Sequence, residues 1–92
     1  MIVRILGEGQ YRLDDATFEA VHAIDDRVQA AADAGDTDGF AAALTEMVDA
    51  IIAGGEALPA DDLHPSDAIV PGHGTTLAEA RELLSSEGLI PG

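Results

Sequence analysis

The stretch ILGEGQYRL, residues 5–13, decides how this chain folds. It sets two glycines around Glu8, directly after the apolar run IVRIL and directly before QYRL. A dinucleotide-binding loop needs a strand, its glycines and then a helix whose N-terminus meets the pyrophosphate. Here the residues after the glycines are strand-like, a third glycine of that fingerprint is missing, and Glu8 repels an anion. The stretch therefore reads as a β-hairpin, residues 2–6 and 10–13, closed by Gly7-Glu8-Gly9. With Gly9 as the left-handed residue of a three-residue loop, the register opposes Leu6 to Gln10, Ile5 to Tyr11, Arg4 to Arg12 and Val3 to Leu13. Alternation then gives one apolar face, Val3, Ile5, Tyr11 and Leu13, and a second face of Ile2, Arg4, Leu6, Gln10 and Arg12.

Outward from the hairpin, the pattern becomes helical. Asp14 and Asp15 suit a helix start. The predicted first helix runs to Ala34 and stops at Gly35. Thr17, Val21, Ile24, Val28 and Ala31, joined by Phe18, form its apolar stripe, with Asp25, Asp26 and Asp33 off it. A second helix begins at Asp36-Thr37-Asp38 and ends near Ala53. Phe40, Leu44, Met47, Val48, Ile51 and Ile52 mark its buried side. The short connection predicts an antiparallel helical hairpin. After Gly54-Gly55 comes a loop, residues 56–67, then a short third strand, DAIV, residues 67–70, at a sheet edge because Pro71 ends it. Thr76 and Glu79 form a capping box for a third helix within residues 72–84. Gly88 closes that helix, with Leu89 and Ile90 folded back on it. The expected fold class is α+β: an N-terminal hairpin plus a short third strand, packed on an antiparallel helical hairpin and a C-terminal helix, as one domain over residues 1–92.

The totals set further bounds. The chain has 92 residues, no cysteine and 47% hydrophobic residues, but only Tyr11, Phe18 and Phe40 as aromatics. A chain this short buries about 60–65% of its unfolded surface, so closely packed alanine-rich helices must supply its core. Eighteen acidic residues stand against four arginines and no lysine, for a net charge of −14. That surface repels nucleic-acid phosphates and anionic headgroups, and it favours a basic protein partner in a salt-sensitive association. No secretory leader and no membrane-length apolar run is visible, so the expected location is the cytoplasm.

Chemistry-bearing residues are sparse. Glu19-x-x-His22 has the spacing used in di-iron bundles, but helix two offers only Glu46-x-x-Asp49 in reply. His64 and His73 flank the third strand, near Asp61, Asp62 and Asp67. A small metal-binding protein or hydrolase using His22, His64 and His73 is one alternative. Ser66, Ser85 and Ser86 lack a nucleophile-elbow context, so no catalytic residue is assigned. Arg4 and Arg12 are half of all the basic residues. Side by side they call for carboxylates, either from Glu79, Glu82 and nearby aspartates or from a partner. A second alternative is a self-associating scaffold, a homodimer joined edge to edge through the hairpin.

The order of the pieces is informative. IVRILGEGQY at residues 2–11, the PSD segment at residues 65–67 and the closing EGLIPG at residues 87–92 resemble PspAA, the PspA-associated domain. The likeness spans nearly the whole chain, although residues 30–57 are alanine-rich and match many helices. The resemblance implies a non-enzymatic accessory protein of the phage-shock, or envelope-stress, system in actinobacteria and archaea. It implies a partner, PspA, a membrane-remodelling coiled-coil protein of the ESCRT-III kind, and no cofactor. It carries no site residues across. The expected partner-binding residues, Ile2, Arg4, Leu6 and Arg12, come from the outer sheet face alone. The expected role is an adaptor without direct membrane insertion, peripheral to the inner membrane through its partner.

Overall fold

A computed structural model describes residues 1–62 and 64–81. Strands β1 (Ile2–Ile5) and β2 (Gly9–Arg12) form the antiparallel hairpin. Helices α1 (Asp15–Ala34) and α2 (Thr37–Gly54) follow. A two-residue strand β3 (Glu56–Ala57), strand β4 (Ala68–Val70) and helix α3 (Leu77–Ala80) complete the order. The four strands make one sheet in the order β3-β2-β1-β4. The architecture is α+β, as the sequence predicts.

The hairpin register differs from the sequence expectation by two residues. Val3 opposes Tyr11, Arg4 opposes Gln10, Ile2 opposes Arg12 and Ile5 opposes Gly9. Arg4 and Arg12 are therefore not opposite each other. The reason is the turn. The Glu8 N–H donates to the Ile5 carbonyl at 3.0 Å, and Gly7 sits at φ 83°. That is a type II turn over residues 5–8, which needs a left-handed residue at its third position, so Gly7 rather than Gly9 sets the pairing. A slip of two residues keeps the alternation, and the inner face survives: Val3, Ile5 and Leu13 are buried and Tyr11 is half-buried against them.

The helices start and stop where their local signals place them. Asp14 Oδ1 accepts from the Thr17 N–H at 2.8 Å, and Asp36 Oδ1 accepts from the Gly39 N–H at 3.0 Å. These side chains satisfy donors that the first turn leaves open. Gly35, in the left-handed region, ends α1. The Thr76–Glu79 capping box is complete in both directions. The remainder of the predicted third helix, Glu82, Ser85, Ser86, Gly88 and the fold-back of Leu89 and Ile90 lie outside the described residues.

The core lies between the inner sheet face and the α1–α2 hairpin. Val21, Ile24 and Val28 meet Phe40, Leu44, Met47, Val48 and Ile51, with Ala68, Val70, Leu77 and Ala80 closing one side. Two expectations are corrected here. Asp25 is only 2% exposed. It stands four residues after Val21 and three before Val28, and is therefore on the core-facing stripe. Ile52 is 38% exposed, because Phe40, Leu44, Met47, Val48 and Ile51 already fill the buried face of α2.

Strand β3 was not foreseen. It pairs antiparallel to β2, with Tyr11 opposite Ala57 and Arg12 opposite Glu56. The third strand of the sequence reading is β4, which pairs parallel to β1 at the sheet edge. Its partner on that side occupies β1 as β3 occupies β2, so both hairpin strands are interior. Among the described residues the outer strands of the sheet are therefore β3 and β4, not the hairpin strands. The chain must cross from one sheet edge to the other between residues 57 and 68. It does so over the face away from the helices, where Gln10 projects. Gln10 is only 6% exposed, and its Nε2 donates to the His64 carbonyl at 3.0 Å and to Ser66 Oγ at 2.7 Å. The crossing is tied down at both ends, by the Leu58 N–H on the Gln10 carbonyl at 3.0 Å and the Asp67 N–H on the Ile2 carbonyl at 2.7 Å.

Two variants test this arrangement. Phe40→Ala empties the centre of the core and is expected to cost about 3–5 kcal/mol in urea unfolding, with an unchanged m-value. Gln10→Ala removes the donor that pins the crossing segment and is expected to cost about 1 kcal/mol. Its local signature is faster amide exchange at Leu58 and Asp67 than at Val48 in the core.

Candidate functional site

The outer sheet face holds the residues singled out for partner binding. Crossing of the chain divides it. On the β2 side Gln10 is covered. On the β1–β4 side the face is open, and it presents Arg4 beside Ile69, its neighbour in the parallel register. Leu6 follows in the hairpin turn, where its N–H donates to the Val70 carbonyl at 2.9 Å. Leu6 is 45% and Ile69 is 44% exposed, two of the largest exposed apolar side chains among the described residues. Ile2 is half-buried, with its N–H donating to Asp67 Oδ2 at 2.8 Å. The open patch is thus Arg4, Leu6 and Ile69, with Ile2 at its margin.

Arg12 sits elsewhere on the same face. It lies opposite Glu56 across β2 and β3, and its charge is among the influences that lower the Asp62 pKa. The largest of these influences is the His64 backbone N–H, which donates to Asp62 Oδ1 at 2.9 Å. Arg4 forms no ion pair among the described residues. Among the described residues Arg12 has acidic neighbours in Glu56 and Asp62, and neither arginine forms an ion pair; Glu82 lies outside the described residues. Glu79 is committed to Thr76 instead, and the Thr76 backbone N–H lowers its pKa. Ile69 was missed by the sequence reading. Its signal was the alternation of Ala68, Ile69 and Val70, which turns the middle residue outward once the strand is paired.

The three histidines have three different settings. His22 stacks at a tilt on Phe18, with ring centroids 5.7 Å apart on α1. His64 Nδ1 meets Asp62 Oδ1 in the crossing segment. His73, in the connection between β4 and α3, lies between two carboxylates: Nε2 is 2.9 Å from Asp49 Oδ1 of α2, and Nδ1 is 3.2 Å from Glu8 Oε1 in the hairpin turn. Among the described residues no three histidine or acidic side chains are arranged to hold a metal ion. The described hydroxyls with local partners also serve the fold: Thr17 Oγ1 donates to the Gly54 carbonyl, Thr75 Oγ1 to the Gly72 carbonyl, and Ser66 Oγ accepts from Gln10.

The helical hairpin presents a shallow groove of about 410 Å³ between α1 and α2. Ala30, Ala34 and Ala42 line it, and Arg27 Nη2 bridges to Glu46 Oε1 at 2.7 Å across the two helices. That pair raises the Arg27 pKa and lowers that of Glu46 through the shared hydrogen bond, while both side chains stay in water. No helix among the described residues is long and apolar enough to cross a membrane.

Comparison with protein families places this arrangement. The model of the family described as PspA-associated protein matches residues 1–92, the full length of the chain. The chain belongs to the PspAA family. No curated protein and no solved structure matches it at a significant level. For this PspAA chain the family supplies an association, with PspA, and the geometry supplies, among the described residues, a face where Arg4, without an ion pair, lies beside the exposed side chains of Leu6 and Ile69.

The ionisable groups predict how stability follows pH. The Asp49 hydrogen bond, reinforced by the charge of Glu8, raises the His73 pKa. Its contribution is complete below the ordinary histidine value of about 6.5 and is lost as pH rises through the raised value. Backbone caps lower the pKa values of Asp14 and Glu79. Their contributions are complete above the ordinary carboxylate range and are lost as pH falls through the lowered values. Self-repulsion within a −14 surface also grows toward alkaline pH. Thermal unfolding is therefore expected to show its highest Tm on the acid side of neutrality, between these two windows. His73→Gln is expected to flatten the alkaline limb and leave the acid limb in place.

Proposed function

We propose that this chain is a non-enzymatic adaptor that binds a PspA-type, ESCRT-III-like coiled-coil protein and tunes its assembly in the envelope-stress response. The family match over the entire chain carries this reading. The proposed contact is the outer sheet face. Leu6 and Ile69, with Ile2 at the margin, form its apolar part, and Arg4 beside them supplies the charge, while Arg12 stands apart on the β2–β3 side of the face. The acidic exterior around it suits the basic, amphipathic helical surface by which a protein of this kind meets anionic lipid. Covering that surface withholds it from the bilayer. The chain reaches the inner membrane through its partner, without inserting a segment of its own. Its charge disfavours nucleic acid as a competing partner.

Titration of a purified PspA-type protein with this chain at low and at high salt tests the proposal. Binding that weakens with salt is expected, because exposed charges are screened beyond about 10 Å at 0.1 M. Leu6→Asp is expected to weaken binding about tenfold or more, equivalent to about 1.4 kcal/mol, with little effect on folding. Absence of binding at either ionic strength would falsify the adaptor role. Binding that ignores salt removes its electrostatic part.

A further inference from the structure

Glu8 and His73 are the two singular residues of the GEG and PGHG segments, and neither belongs to the proposed partner face. The fold brings them together. Gly72 approaches the hairpin turn so closely that a Cβ on it meets the Leu6 carbonyl oxygen at 2.5 Å. With glycine there, the connection after β4 packs backbone to backbone on the turn. The tight turn at Gly72–Thr75, closed by the Thr75 N–H on the Gly72 carbonyl, then aims the His73 ring between Glu8 and Asp49. Three separate elements meet at one imidazole: the β1–β2 turn, the middle of α2 and the β4–α3 connection.

Proton counting shows what this demands. Both flanking groups are carboxylates, which only accept hydrogen bonds. The imidazolium has two N–H groups and satisfies both. Neutral imidazole has one, so one carboxylate must then face a ring lone pair. The Asp49 contact is the shorter, 2.9 Å against 3.2 Å, which favours Nε2 as the nitrogen that keeps the remaining proton. Glu8 is left with the His73 backbone N–H, a long 3.4 Å contact. Among the described residues, Asp49 and Glu8 are the charged groups that act on the ring; residues 71–76 carry none besides His73, and Glu79 at the start of α3 is bonded to Thr76.

We propose that His73 is a pH-operated latch: protonated, it ties the tip of the hairpin turn to α2, and on losing its proton to solvent it keeps Asp49 and releases the Glu8 side chain at that tip. The ring is exposed, so solvent protons reach it directly. The raised His73 pKa agrees with this arrangement and moves the release above the ordinary histidine value. Leu6 precedes that tip by two residues, with its own N–H on the Val70 carbonyl, so the release reaches it through Gly7. On the reading given under Proposed function, the latch thereby governs the order of the partner face, with the face held firm in acid and loosened in alkali. The latch itself stands without that reading.

The test uses the chain alone, by NMR, so a failed partner assay and a failed latch are distinguishable. The His73 ring resonances give the titration midpoint, and backbone N–H order parameters of Gly7 and Glu8 report the tip of the turn. Across the His73 midpoint these order parameters are expected to fall from about 0.85 toward 0.6 or below. Glu8→Gln and Asp49→Asn are each expected to lower the midpoint, and His73→Gln to remove the pH dependence of the turn. Order parameters that stay constant through the titration overturn the latch. So does a midpoint indifferent to Glu8→Gln and Asp49→Asn, or a turn that still loosens with pH in His73→Gln.

Discussion

The hairpin occupies the middle of the sheet, and that single placement constrains everything around it. Its inner face must be covered by apolar side chains, and the helical hairpin supplies them from Val21, Val28, Phe40 and Met47. Its two edges must be paired, and β3 and β4 pair them. Because these two short strands lie on opposite edges and follow each other in sequence, the chain between them has to cross the outer face. Three strand spacings amount to about 14 Å, well within the reach of residues 58–67. The crossing is why the outer face is not the open platform that alternation alone suggests. Half of it is roofed, with Gln10 as the post, and the open half is what remains for a partner.

The same placement explains the two glycine-containing segments. The hairpin needs a tight turn, and Gly7 provides its left-handed residue. Strand β4 enters parallel to β1, so its C-terminal end emerges beside that turn rather than at the far end of the sheet. Gly72 allows the emerging backbone to touch the turn, and His73 follows at once. The acidic residue of the hairpin turn is a carboxylate offered to a histidine. The acidity of the molecule makes this arrangement economical, since an imidazolium surrounded by anions holds its proton readily.

Belonging to a family of PspA-associated proteins gives these features a context of partnership. In such a setting the useful chemistry is that of surfaces: an anionic exterior, a small apolar patch and a means of holding that patch in shape. Arg27 and Glu46 clasp the two helices, the caps hold their ends, and the crossing segment stiffens the sheet. These are the supports that a binding face on a domain of this size requires.

The sequence by itself determined what short-range physics controls. The helix limits at Asp14, Gly35, Asp36 and Thr76, the capping box with Glu79, and the inner-face set Val3, Ile5 and Leu13 all rest on interactions within a turn or on two-residue alternation. Only the tertiary structure decided the rest. Hairpin registers that differ by two residues share one alternation pattern, so nothing in the pattern separated Gly7 from Gly9 as the turn residue, or showed that Arg4 and Arg12 are apart. A two-residue strand such as β3 has no periodicity to read. Asp25 was placed outside by its polarity and inside by its neighbours on the stripe, and Gln10 is buried by a segment more than fifty residues away. His73 with Glu8 and Asp49 is likewise a meeting of three distant parts of the chain, brought about by parallel pairing that local sequence does not encode.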